Sequence, residues 1–453
     1  MRNEMDLGRD DTGSLVLRTA LPSMLAQFVS VFYSLVDRMY VGNIPGEGAL
    51  ALAGVGVCGP VVTMIGSAAV WISWGGSPLM SIRMGEEKPQ EAACILRSCV
   101  MMLLGFSVMI TVLILPLRGP LLRFFGASET TYPYAEAYFT VYLSGTVFAL
   151  LASGLNQLIL AQGFASEGMK LTVLGAVLNL VLDPVFIFAL DMGVRGAAVA
   201  TVLSQMASAA GAFLFLRGRR VHVPITWGAI RLSVCKKVLA LGFSPFAIIA
   251  IDNGMIMAMN AVLQHYGGPQ MGDRLVTASV IAQSFMLIVT MPLGGISGGT
   301  QSILSFNYGA RRMERVRGAQ KRVFALCVGF TAGMFVLARI GGPVFVRLFT
   351  QDDGVARIAA WAIGVCTLAI VPLGIQYEIV DGFTALGQVR LSFVLSFFRK
   401  LVYFAALFGL PAFLGAGAAF YAEPVSDLVG PVVSLLVYKK TFEQVLQHGK
   451  QRA

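Results

Sequence analysis

Long apolar stretches with almost no charge recur along the chain, and they constrain its fold more than any other feature. A bilayer core about 30 Å thick is crossed by a helix of about 20 mainly apolar residues. About twelve stretches of that length or longer follow one another: Leu15–Val41, Leu50–Met80, Ala93–Leu117, Tyr134–Ala161, Leu171–Leu190, Gly196–Leu216, Val238–Tyr266, Leu275–Phe306, Val323–Ile340, Ala356–Leu386, Leu391–Leu410 and Gly417–Tyr438. The reading is an all-α polytopic membrane protein. Composition agrees, since only 13% of the 453 residues are charged and 56% are hydrophobic, whereas soluble domains carry about 25% charged residues. Six Cys without a C-x-x-C pair exclude a secreted disulfide scaffold, and the hydrophobicity excludes a disordered chain. The charged start Met1–Ser14 is followed by no small-residue cleavage site, so the first stretch reads as a span, not a removed signal peptide.

Lys and Arg orient the spans. With both termini in the cytoplasm, 24 of the 34 Lys and Arg fall on the inner side, from Arg2 and Arg9 to Lys450 and Arg452, and seven on the outer side. Arg38, Arg399 and Lys400 fall within spans. The net charge of +10 is then an orientation signal facing anionic lipid. The clusters Arg217–Lys237 and Arg311–Arg322 are short loops between spans, so no nucleic-acid partner is expected.

The chain repeats itself. Ile82-Arg83-Met84-Gly85-Glu86-Glu87-Lys88 closes the second span at a basic helix start. Phe306-Asn307-Tyr308-Gly309-Ala310-Arg311-Arg312 does the same after the eighth, with Gly85 and Gly309 224 residues apart. Leu21-Pro22 and Ser244-Pro245 open the first and seventh spans, 223 apart, and Gly163-Phe164 with Gly168 recurs as Gly382-Phe383 with Gly387, 219 apart. Two six-helix halves follow: an N-lobe at 1–218, a basic linker at 219–236, a C-lobe at 237–438 and a tail at 439–453. An even number of spans per half gives a parallel repeat, an arrangement common in secondary transporters that work by alternating access.

The run Met291-Pro292-Leu293-Gly294-Gly295-Ile296-Ser297-Gly298-Gly299-Thr300-Gln301-Ser302-Ile303-Leu304-Ser305-Phe306-Asn307-Tyr308-Gly309-Ala310 resembles the eighth-span signature of the multidrug and toxic compound extrusion (MATE) transporters. Tyr33-Ser34-Leu35-Val36-Asp37, Leu178-Asn179-Leu180-Val181-Leu182-Asp183-Pro184 and Gly193-Val194-Arg195-Gly196 resemble the family's first span, fifth span and entry to the sixth. The resemblance covers essentially the whole chain. It implies a monomeric, cation-coupled antiporter of the bacterial inner membrane, with two six-helix lobes forming a V-shaped cavity and small organic molecules as substrates.

Ionisable residues within spans are costly to bury unpaired, which makes each a functional candidate. Asp183 sits deep in an apolar span one turn after Asn179, on the same helix face. Pro184 pushes away the carbonyl of Leu180, leaving a hard-oxygen set suited to sodium or a proton. Asp37 has the same relation to Tyr33. The resemblance implies an N-lobe cation or proton site from Tyr33, Asp37, Asn179 and Asp183, with Asn156 and Thr201, and extends less directly to Tyr138. In the C-lobe, Glu378 and Asp381 share a helix face, Asp252 lies in the seventh span and Arg399-Lys400 in the eleventh; Asp252, Glu378, Asp381 and Arg399 are candidates for a second site. By the resemblance, Asp427 in Pro424-Val425-Ser426-Asp427 looks like a packing feature of the family. Tyr138, Met255, Gln283 and Met286 are candidates for lining a substrate cavity.

His222, His265 and His448 are far apart, and no G-x-x-x-x-G-K-[ST] loop occurs, so neither a metal centre, an organic cofactor nor ATP hydrolysis is expected. The coupling ion is H⁺ or Na⁺, entering at Asp37 and Asp183 as substrate leaves. A cationic, aromatic substrate suits acids with Phe or Tyr walls. The alternative is a flippase of lipid-linked saccharide, whose pyrophosphate Arg399-Lys400 would meet. An intramembrane enzyme is disfavoured, because no D-x-x-x-D or DD run lies inside a span.

Overall fold

The computed structural model describes residues 6–451 apart from 126, 128, 219, 227, 229, 350 and 351. Arg2, Arg219 and Arg452 of the basic set therefore lie outside the described residues. The helices are α1 (Thr12–Gly42), α2 (Gly48–Gly85), α3 (Pro89–Phe124), α4 (Tyr132–Ser144), α5 (Thr146–Ala161), α6 (Ala165–Pro184) and α7 (Gly193–Arg217), then α8 (Leu232–Gly268) and α9 (Arg274–Gly309), and α10 (Met313–Arg347), α11 (Asp353–Cys366), α12 (Ile370–Ala385), α13 (Val389–Leu414) and α14 (Ala422–Gln451). Among the described residues, ten helices are long and apolar enough to cross a membrane. Counting each of the bent pairs α4–α5 (58°) and α11–α12 (51°) as one span brings the number to twelve, the count expected. The helices outrun the apolar stretches, because a helix continues into the polar boundary wherever its backbone stays bonded.

The chain divides into two compact units, residues 25–246 and residues 6–24 with 247–453. The boundaries differ from those read in the sequence. The start of α1 packs in the second unit, where Leu15, Val16 and Ala20 join a core with Leu293, Ile296 and Ile303. The start of α8 packs in the first, where Val238 joins Ile72 and Leu96. Glycines permit both approaches. A Cβ on Gly242 would stand 1.7 Å from Trp71 O, and one on Gly295 2.8 Å from Ser23 O. Each change of unit, at 24/25 and 246/247, falls just after a proline, Pro22 or Pro245. A helical proline removes one backbone hydrogen bond. These prolines therefore lie inside their helices and do not open them.

Within the first unit α2 packs on α3 and α5, and α6 and α5 pack on α7; within the second α13 packs on α14, and α10 and α14 pack on α12. From the end of the second span to the turn after the fourth, the repeat keeps a spacing of 224. Ser81 Oγ donates to Ala161 O at 2.5 Å and Ser305 Oγ to Ala385 O at 2.8 Å. Glu87 and Arg311 both have φ of 60°. Gly163 (φ 90°) and Gly387 (φ 74°) occupy equivalent left-handed turns. This corrects the pairing of Gly163 with Gly382, which matched the motif one turn too early; the left-handed turn requires glycine at 163 and 387.

The linker is held by Gln162, whose Oε1 accepts from Val223 N at 2.8 Å while its Nε2 donates to Val223 O at 3.1 Å. Asp352 caps α11, accepting from Gly354 N at 2.7 Å and Val355 N at 3.1 Å. These donors hold its carboxyl below the usual carboxylate range.

Candidate functional site

In the first unit, α6 places Asn179 and Asp183 one turn apart. Asn179 Nδ2 donates to Asp183 Oδ1 at 3.1 Å, and Asp183 is 0% exposed. Pro184 ends the regular helix, and the next five residues, Val185–Ala189, form a wider π-turn. Without an N–H at 184 the carbonyl of Leu180 loses its helical partner, and a π-turn is a common local remedy.

From α1, Asp37 brings its carboxyl to hydrogen-bonding range of the Asp183 carboxyl, and Tyr33 stands beside both. Asp37 Oδ1 and Asp183 Oδ2 have no hydrogen-bond partner among the described residues. Arg38, the neighbouring base, is exposed. Tyr138 on α4 stacks on Tyr142, ring centroids 6.3 Å apart, and lies beside Asp37 and Thr201. The Thr201 hydroxyl donates to Ala197 O at 2.9 Å. Asn156 is placed elsewhere: its Nδ2 donates to Thr172 Oγ1 at 3.2 Å and ties α5 to α6. Two carboxyl groups within hydrogen-bonding range, one buried and one half-buried, are favoured by a positive charge between them, a proton or a hard cation on oxygen ligands.

The second unit separates the four candidates read together from the sequence. Lys400, buried on α13, pairs with half-buried Asp252 of α8. Its neighbour Arg399 donates from Nη1 to Asp427 Oδ1 of α14 at 2.7 Å. Glu378 and Asp381 of α12 lie apart from these ion pairs, and Asp381 accepts from Ser297 Oγ at 2.5 Å. Tyr138 belongs to the buried core of the first unit, and Met255 and Met286 to that of the second. Gln283 Nε2 donates to Ser279 Oγ at 3.3 Å. Among the described residues no three His, Cys, Asp or Glu are grouped to hold a metal ion.

Sequence reasoning missed Glu423, one turn before Asp427 and near Arg399 and Lys400. Its place before Pro424 makes it look like a helix-start acid. It also missed Gln301, Gln320 and Gln205, whose buried amide atoms carry no charge to draw attention.

The sequence profile of the MatE family matches residues 22–185 and 247–407. The chain is 23% identical over 443 residues to an FAD transporter of Shewanella oneidensis, covering 96% of each chain. It is 24% identical over 428 residues to a probable multidrug resistance protein of Bacillus subtilis, covering 93% of each. A multidrug resistance MATE family transporter solved in an outward-facing conformation shares the fold, with a TM-score of 0.90, 23% identity, and 97% and 98% of the two chains covered.

Proposed function

The chain belongs to the MatE family of multidrug and toxic compound extrusion transporters, and on that premise we propose that it exports small organic molecules by exchange against H⁺ or Na⁺ bound at Asp37 and Asp183. The observation that carries this reading is the approach of two carboxyl groups from α1 and α6, neither in an ion pair among the described residues and one oriented by Asn179. Entry of a cation neutralises the pair and its departure restores two charges. Binding of substrate and of cation must weaken each other equally, since linkage is reciprocal. The π-turn after Pro184 and the proline in α1 give both helices a place to bend as the pair changes charge.

Substrates are organic and amphipathic, with cationic compounds favoured by the acids; the relatives named for multidrug resistance support this class. The Lys and Arg bias supports placing both termini in the cytoplasm of a cell whose plasma membrane holds the chain. The test is efflux from proteoliposomes of purified chain, with a pH gradient or a sodium gradient imposed separately and a cationic dye or FAD inside. Asp183→Asn should abolish ion-driven exchange, and wild-type exchange in that variant would overturn the assignment.

A further inference from the structure

The segment 6–12, ahead of the apolar part of α1, is folded as a strap against the corner where α9 gives way to α10. Asp6 shapes it: its Oδ1 accepts from Gly8 N at 2.8 Å and from Arg9 N at 3.1 Å. Asp11 then starts the helix, its Oδ2 accepting from Gly13 N at 2.8 Å and Ser14 N at 3.0 Å. Leu7, 3% exposed, packs into the core of the second unit. Amide and basic groups of α9, α10 and the turn between them hold the strap by its oxygens. Asn307 Nδ2 donates to Leu7 O at 2.9 Å. Arg315 Nη2 donates to Asp10 O at 2.5 Å and to Leu7 O at 3.4 Å, while its Nε donates to Asn307 Oδ1 at 3.0 Å. Arg312 Nη1 donates to Gly8 O at 2.5 Å. Arg322 donates to Thr12 Oγ1 and pairs with Asp11 at 3.9 Å. The hold continues along α1, where a Cβ on Gly299 would stand 2.4 Å from Ser23 Oγ.

The repeat supplies an internal control. At the spacing of 224, Asn307 corresponds to Arg83, Arg312 to Lys88, Arg315 to Glu91 and Arg322 to Ser98. In the first unit this corner closes on itself, with Arg83 Nε 3.1 Å from Glu91 Oε2 and Arg83 Nη1 2.5 Å from Glu86 Oε2. In the second unit that arginine and glutamate are replaced by Asn307 and Arg315, and Arg315 turns to main-chain carbonyls of the strap. The difference follows the connectivity. Helix α8 starts in the first unit, to which the linker from α7 ties it covalently. Helix α1 starts in the second unit and continues into the first after residue 24, so side chains make its hold on the second unit.

We propose that the strap is a fixed anchor for α1, and that Arg315 and Asn307 are positioning residues for exchange that act through the end of α1 remote from Asp37. Asp37 lies about 38 Å along the helix from Thr12. A helix held at neither end slides when the charge at one end changes. Held at its start, it turns that change into force on the unit that holds it. The anchor thus lets a change at Asp37 act on the second unit. The inference rests on the exchange role given to Asp37, and its test separates the two.

The test is ion-driven dye efflux from proteoliposomes of the full chain, with a disulfide as a covalent substitute for the anchor. A Cβ at Gly318 of α10 would lie 3.6 Å from Thr12 Oγ1, so Thr12→Cys/Gly318→Cys should close when oxidised with diamide, while the six native thiols are buried. The oxidised pair should transport as fast as the reduced pair. Arg315→Met should slow efflux about tenfold, the weight of one hydrogen bond to a charged group, and leave its half-saturating pH or Na⁺ unchanged. Arg315→Lys, which keeps a donor, should lose less. Oxidising the cysteine pair in the Arg315→Met background should restore the rate, which it would not do in a chain that is merely destabilised. If oxidation of the pair stops efflux and a reductant revives it, the strap has to leave during the cycle and the anchor is overturned. Wild-type efflux in Arg315→Met, no rescue by the disulfide, or failure of the pair to close also overturns it. Amide hydrogen–deuterium protection of residues 7–23 is read without transport. Protection lost in Arg315→Met, in a chain whose wild type moves no dye, leaves the anchor standing and removes the role of Asp37; protection unchanged in that variant, with ion-driven efflux intact, removes the anchor alone.

Discussion

Asn179 and Asp183 lie one helical turn apart on α6 and are joined by a hydrogen bond from Nδ2 to Oδ1 of 3.1 Å. The bond holds one carboxylate oxygen of Asp183 and leaves the other without a donor among the described residues. An amide that only donates at this point orients the acid without neutralising it.

Asn179→Leu removes that donor and leaves a buried oxygen unsatisfied, at a cost of about 1–3 kcal/mol. Exchange should fall and its dependence on pH or Na⁺ should change, while Asn179→Gln recovers part of the rate. A variant with slower exchange but an unaltered ion dependence would make Asn179 a packing residue. Initial efflux rates across a series of pH and Na⁺ values decide this.

The Arg399–Asp427 pair, 11% and 0% exposed at the side chains and 2.7 Å apart, predicts an asymmetric mutational response. Arg399→Met strands Asp427 in the interior, which costs about 3–5 kcal/mol for a buried charge. Combining it with Asp427→Asn should recover most of the loss. Melting temperatures of the four proteins of this cycle give the coupling directly; additive losses would show that the pair does not interact.

Gly242 and Gly333 make opposite predictions for the same change. A Cβ at 242 would stand 1.7 Å from the Trp71 carbonyl oxygen, so Gly242→Ala must displace backbone and should destabilise the first unit by more than the usual overpacking cost of about 1–3 kcal/mol. At 333 nothing lies within 4 Å, and alanine there should be neutral or stabilising by up to about 1 kcal/mol through helix propensity. Thermal unfolding in detergent compares the two.

The six cysteines are all buried and unpaired by disulfides. A thiol-reactive maleimide should leave the folded chain unmodified and react as it unfolds, giving a cooperative thermal transition. Rapid modification of Cys58, Cys99 or Cys327, each 0% exposed, in the native protein would contradict their packing.

The all-helical membrane fold was legible in the sequence because hydrocarbon imposes a local rule: each span must be long, apolar and internally bonded. The repeat was legible too, although the Gly163 match slipped, since motif similarity does not register which glycine carries a positive φ. Asp37, Asp183, Glu378 and Arg399 stood out because a charge inside a span is an exception to that same rule. Which exceptions meet was not written in the sequence. Asp37 and Asp183 are brought together by α1 and α6, Asp252 and Lys400 by α8 and α13, and Gln301 and Gln320 flank the acids of α12 without any charge of their own. Such contacts depend on helix rotation and crossing. Those are set by close approaches at small residues such as Gly374 and Gly382, and only the packed structure decides them.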